Sequence, residues 1–197
     1  MKKTVLFLSI LFLAFISVNA QETKWGFDKA HSKIQFDVTH MVISEVSGQF
    51  QEYEGSVVTS KEDFSDARID FSIAVKSIDT DNEDRDKHLR SADFFDVEKY
   101  PEITFSSKEM KKVGEHQYQL TGNFTLYGVT KEVILDMKYG GTAKDPYGNV
   151  KAGLKITGLI NRTDFGLKYN SVMDTGGMMI GEEVTIICRV ELIKLNN

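Results

Sequence analysis

Two arginines stand in settings that could do chemistry. Arg85 lies between Asp81 and His88 in a polar segment. Arg162 lies within Asn161-Arg162-Thr163-Asp164-Phe165-Gly166, where an apolar alternation ends. Each joins a fixed cation to nearby acids, the composition of a salt bridge or helix cap and equally of a site for a polar head group. A guanidinium forks onto phosphate or carbonyl oxygens in two-point geometry, which suits it to the second role. The four histidines, His31, His40, His88 and His116, show no HxH or HxxxH spacing, so only the fold could assemble them around a metal. Asp79, Asp81 and Glu83 begin like a calcium loop, but Asp84 and Arg90 hold the places that need Gly and Glu. No metal site is expected. Cys188, the single cysteine, shares an alternating face with Ile186 and Val190, the setting of a buried, inert thiol. No serine sits in a G-x-S-x-G elbow. These residues favour binding over catalysis. Two other readings remain: an envelope enzyme acting on a small exported substrate through His40, His88 and nearby acids, or a stress-related module that pairs with a protein through an exposed strand edge.

The elements that must position these residues alternate with period two, as strands with one buried face do. Ile34, Phe36, Val38 and His40 share one face; so do Ile69, Phe71, Ile73 and Val75. Tyr118, Leu120, Gly122, Phe124 and Leu126 continue the pattern, followed by Val133 to Tyr139, Leu154 with Ile156, and Val184 to Leu192. With Val46–Tyr53, Gly55–Thr59 and Glu102–Met110, and polar turns at 114–116, 127–130 and 145–149, this makes about eight strands of an antiparallel sandwich or barrel. One segment departs from the period. Asp79 to Asn82 offer N-cap oxygens, Glu83, Asp84 and Asp86 favour a first helical turn, and Arg85, His88 and Leu89 share one face. A short helix is therefore inserted between two strands, where it can lid one end. Phe94 and Phe95 follow it.

An eight-stranded barrel is about wide enough to hold one small apolar ligand. Gly122 and Ser107, small residues on apolar faces, are a weak hint of room inside.

The chain has 197 residues. Lys2 and Lys3 precede an apolar stretch from Val5 to Val18 that closes on Val18-Asn19-Ala20, the pattern of a cleaved export signal. The stretch is too short for a membrane anchor. Cleavage is expected between Ala20 and Gln21, with residues 21–197 forming one periplasmic or secreted domain without disulfides. The net charge is −5, and two of the 24 basic residues lie in the leader. Bulk charge therefore argues against nucleic acid as a partner, and no later run is apolar enough for stable membrane insertion.

The motifs resemble one family throughout. Phe27-Asp28-Lys29-Ala30-His31-Ser32, His40 with Val46-Ser47-Gly48-Gln49-Phe50, Ile78 to Asn82 with Arg85 to Ser91, Phe94-Phe95-Asp96, Tyr100 to Ser107, Gly122 to Lys131 and Asn161 to Gly166 occur in the order of the YceI-like, polyisoprenoid-binding periplasmic proteins. The resemblance implies an all-β fold: an antiparallel eight-stranded, lipocalin-like barrel with a short helical insertion, holding an isoprenoid or similar long-chain lipid. It implies no catalytic residues and no cofactor other than that bound lipid, and leaves a homodimer open. The ligand-binding residues expected are Ile34, Phe36, Val38, His40, Phe71, Ile73, Arg85, His88, Phe94, Phe95, Phe105, Phe124, Arg162 and Phe165.

Overall fold

In the computed structural model, which describes residues 21–174 and 176–195, the alternating segments become strands of one continuous sheet. The expected leader, residues 1–20, lies outside the described residues. In chain order the strands are β1 (Thr23–Phe27), β2 (Lys33–His40), β3 (Ser44–Phe50), β4 (Tyr53–Thr59), β5 (Arg68–Ala74), β6 (Ile78–Asp79), β7 (Glu102–Gly114), β8 (Gln117–Leu126), β9 (Val129–Lys144), β10 (Val150–Asn161) and β11 (Ile180–Lys194). The α-helix α1 (Glu83–Arg90) stands between β6 and β7. Among the described residues, no helix is long and apolar enough to cross a membrane.

Neighbouring strands run β1-β4-β5-β7-β8-β9-β10-β11, and β11 pairs back onto β1, with Trp25 opposite Lys194 and Phe27 opposite Leu192. All of these pairings are antiparallel, so an eight-stranded barrel closes without a free edge. β2, β3 and β6 carry the wall beyond this ring as a collar: β2 pairs with β11, β3 with β2, and β6 with β3. β8 shows best why the sequence folds this way. Tyr118, Leu120, Gly122, Phe124 and Leu126 are buried, and the residues between them are not. α1 is capped by Asn82, whose Oδ1 accepts from the Arg85 N–H at 2.9 Å, and its first turn carries Glu83, Asp84 and Asp86.

Alternation did not reveal every element. In β1 only Trp25 is buried, too short a pattern to register. The expected strand Val46–Tyr53 is split, because the Gln51 and Glu52 N–H groups turn aside to Ser77 O and Oγ at 3.1 and 2.9 Å.

The barrel's two ends differ. At one end Phe64, on the loop between β4 and β5, stacks on Tyr139 with ring centres 4.8 Å apart and packs 5.2 Å from Trp25. Tyr118 seals the same plug by donating its hydroxyl to Asp63 O at 2.6 Å. Asp66 folds the loop back, accepting from the Thr59 hydroxyl at 2.5 Å and from the Ser60 and Lys61 N–H groups at 3.2 Å. Gly122 and Ser107 open no space, contrary to their sequence-level hint. A Cβ at Gly122 would sit 2.5 Å from the Phe105 ring, and Ser107 Oγ accepts from the Ile69 N–H at 2.8 Å.

Candidate functional site

Above the plug the barrel is hollow. A cavity of about 380 Å³, within the size range of small-molecule sites, runs from Ile69, Ile103 and Leu120 up to His40, His88 and Tyr169. Its wall comes from the inward positions of the strands. On β11, Leu192 and Val190 are buried, whereas Cys188, Ile186 and Val184 on the same face are only half-buried. On β2, Ile34 is buried, while Phe36 and Val38 are half-buried. All of these residues except Leu192 line the cavity. Side chains that point inward yet remain accessible show an apolar lining without a filling.

All but one of the fourteen residues expected from sequence meet on this wall. Phe36, Phe50 and Phe95 form one aromatic flank, with ring centres 5.7 Å apart for the first pair and 6.4 Å for the second. Phe165 is the exception: it is buried edge-on against Phe124 at 5.6 Å, behind the lining. Its apolar motif position could not distinguish packing behind the wall from facing the hollow.

Arg162 also differs from its expected role. It touches the cavity wall but is only 5% exposed. Its Nε donates to Gly181 O at 2.8 Å, Nη1 to Leu167 O and Tyr169 O at 2.6 and 3.0 Å, and Nη2 to Ile180 O at 3.3 Å. The fork is thus occupied by backbone carbonyls and clamps the segment after β10 onto β11. Burial pulls its pKa below the ordinary arginine value, with Glu182 opposing.

Arg85 is held but not consumed. Its Nε donates to Thr80 Oγ1 at 2.7 Å and its Nη2 to Thr80 O at 2.5 Å. Thr80 is itself fixed by buried Asp86, whose Oδ1 accepts from the Thr80 N–H at 3.0 Å and hydroxyl at 2.5 Å. These partners orient an exposed guanidinium at the cavity mouth. Beside it, His88 packs edge-on against Phe94 and Tyr169 at 5.1 and 4.9 Å, and its Nε2 lies 3.4 Å from Asp93. Tyr169, Ser171 and Met179 complete the mouth. They lie in an irregular stretch without periodicity, so no pattern could have nominated them.

Cys188 faces the hollow, where burial pushes its thiol up to about 12. It is protonated at neutral pH and therefore a poor nucleophile. Away from the cavity, Asp28, His31 and Glu191 bring possible metal-ligand atoms within 4.8 Å of one another. Lys151 already occupies this cluster, donating to Asp28 and lying 3.3 Å from Glu191.

A closed antiparallel barrel with one deep apolar cavity and a polar mouth defines a binding-type architecture. More particularly, residues 25–192 match the model of the YceI-like domain, and the chain belongs to that family. It is 37% identical over 163 residues to a UPF0312 protein of Staphylococcus aureus, covering 82% of this chain and 92% of that one. A Campylobacter jejuni YceI protein is similar at 32% identity and a TM-score of 0.68, over 86% of this chain and 96% of the other. A polyisoprenoid binding domain from Saccharophagus degradans shares the fold at 14% identity and a TM-score of 0.65, over 87% and 98% of the two chains.

Proposed function

We propose that this protein is an exported, non-catalytic carrier that holds an isoprenoid or similar long-chain amphiphile inside its barrel. The carrying observation is the apolar cavity whose inward side chains stay accessible. Its chemistry suits an unbranched or methyl-branched chain, and each buried CH₂ contributes roughly 0.8 kcal/mol. Affinity then comes from the wall and orientation from the mouth, where Arg85, His88 and His40 face the head group. The name of the S. degradans domain supports the ligand class, and the leader motif of residues 1–20 supports export. The enzyme reading is weaker, because burial keeps the thiol in the cavity protonated at neutral pH, and the Ser91 hydroxyl beside His88 and Asp93 donates to the His88 carbonyl rather than to its ring.

Native mass spectrometry of protein purified without detergent, followed by organic extraction, tests the proposal. A co-purified lipid, or a one-to-one complex with added polyprenyl alcohol, is expected. Protein that is empty and ignores such lipids would overturn it.

A further inference from the structure

The rim of the cavity carries apolar surface that ligand binding alone does not explain. At the β2–β3 turn Met41, Val42 and Ile43 are 41%, 72% and 84% exposed. Met41 and Val42 have φ angles of 54° and 66°, in the left-handed region that a β-branched residue rarely adopts. Gly or Asn would relieve that turn, yet the strained positions present large apolar side chains to solvent. A second tip stands beside it, where Val172 is bridged to Met178; they are 72% and 50% exposed. The two tips are joined where the Met41 N–H donates to Met179 O at 2.7 Å, and Met179 itself lines the cavity. The exposed apolar tips therefore stand directly beside the cavity lining.

Charge narrows what can cover it. Across residues 41–44, 170–174 and 176–179 the sole ionisable side chain is Asp174. Neither tip carries a cation, and the mouth's Arg85 is held back on Thr80, so attraction to anionic head groups is not what the two tips provide. Exposed Met, Val and Ile without charge suit the interfacial region of a neutral bilayer, where apolar side chains gain by leaving water.

We propose that the Met41–Ile43 turn and the Val172–Met178 tip form a reversible docking surface for a neutral phospholipid bilayer, bringing the cavity mouth against the acyl chains. The role of the surface rests on the carrier reading and specifies where that carrier loads. The surface itself is argued from exposure, strain and charge.

Co-flotation with phosphatidylcholine vesicles tests it. The wild-type protein is expected to float, and neither replacing part of the lipid with phosphatidylglycerol nor adding salt should strengthen binding. Val42→Asp with Ile43→Asp is expected to lower the partition coefficient roughly tenfold or more. Ile134→Asp with Leu159→Asp, exposed apolar positions on the barrel wall, should leave it unchanged; an equal loss would overturn the assignment to the mouth. Val42→Gly should raise the melting temperature while weakening flotation, which separates docking from folding.

Uptake of a short prenyl alcohol offered without vesicles separates the two proposals. Uptake without flotation overturns docking and leaves the carrier standing. Flotation lost in the Asp variant but retained in wild type, without uptake by either, supports docking and removes the carrier. A dimer in solution that depends on Val42 and Ile43, with no vesicle binding, overturns docking in favour of a second copy.

Discussion

At the scale of single residues, two arginines of similar sequence context have been put to different uses. Arg162 spends its donors on four carbonyl oxygens of residues 167–181, while Arg85 is braced by Thr80 and turned toward the mouth. Sequence places both beside acids, and only the three-dimensional position of the acceptors separates a clamp from a guanidinium left at the mouth. Arg162→Met leaves carbonyls unpaired in a buried setting, each costing about 1 kcal/mol or more. A loss of about 3 kcal/mol in urea unfolding is expected. Arg85→Met should leave stability within about 1 kcal/mol and weaken binding of lipids with a polar head.

At the scale of elements, the strand pairs show where the wall can yield. Gly48 on β3 faces Phe36 on β2, and a Cβ there would lie 2.3 Å from the tip of the Phe36 ring. That ring borders the hollow and can swing inward, but the Thr80 methyl, held by Asp86, would also lie 2.9 Å away and cannot move as freely. Gly122 on β8 instead meets both the Phe105 ring and the Ser106 carbonyl oxygen, at 2.5 and 2.6 Å. Gly48→Ala is therefore expected to fold with a loss of about 1 kcal/mol and to bind lipid more weakly. Gly122→Ala, which must move backbone, should lose about 1–3 kcal/mol; calorimetry and lipid titration check the pair. Period-two patterning made β8 and the β2 wall legible because each alternate residue meets the same environment. β1 escapes that pattern because one tryptophan makes no period, and a residue such as Phe165 reads alike whether it lies before or behind a wall. Tyr169 and Met179 stayed invisible because irregular backbone carries no pattern.

At the scale of the whole molecule, disulfide-free stability depends on polar staples as well as burial. Asp28 is held at about 2, chiefly by the Lys151 hydrogen bond and then by His31. For Asp66, burial pushes the pKa up, but bonds from Ser60, Thr59 and the Ser60 and Lys61 N–H groups outweigh it and bring it to about 2. Both folded values lie below the unfolded carboxylate value of roughly 3.9. The stabilisation they supply is therefore complete above about pH 5 and lost as pH falls from about 4 to 2. Asp66→Asn should be about 1 kcal/mol less stable than wild type at pH 6, with the gap narrowing below pH 4 and closing only as pH falls to about 2 and below, read from urea curves. The plug that Asp66 supports also fixes the order of events in the tube. With Phe64, Trp25, Tyr118 and Tyr139 sealing the floor, the proposed lipid would enter the tube tail first through the mouth and leave by it head first. On the carrier proposal the floor would act as a ruler: chains up to the depth of the tube would be swallowed whole, and longer ones would protrude in proportion to their excess. An acceptor would then meet the head group before any of the tail, and unloading would be selected by what the cargo displays outside rather than by what the protein covers.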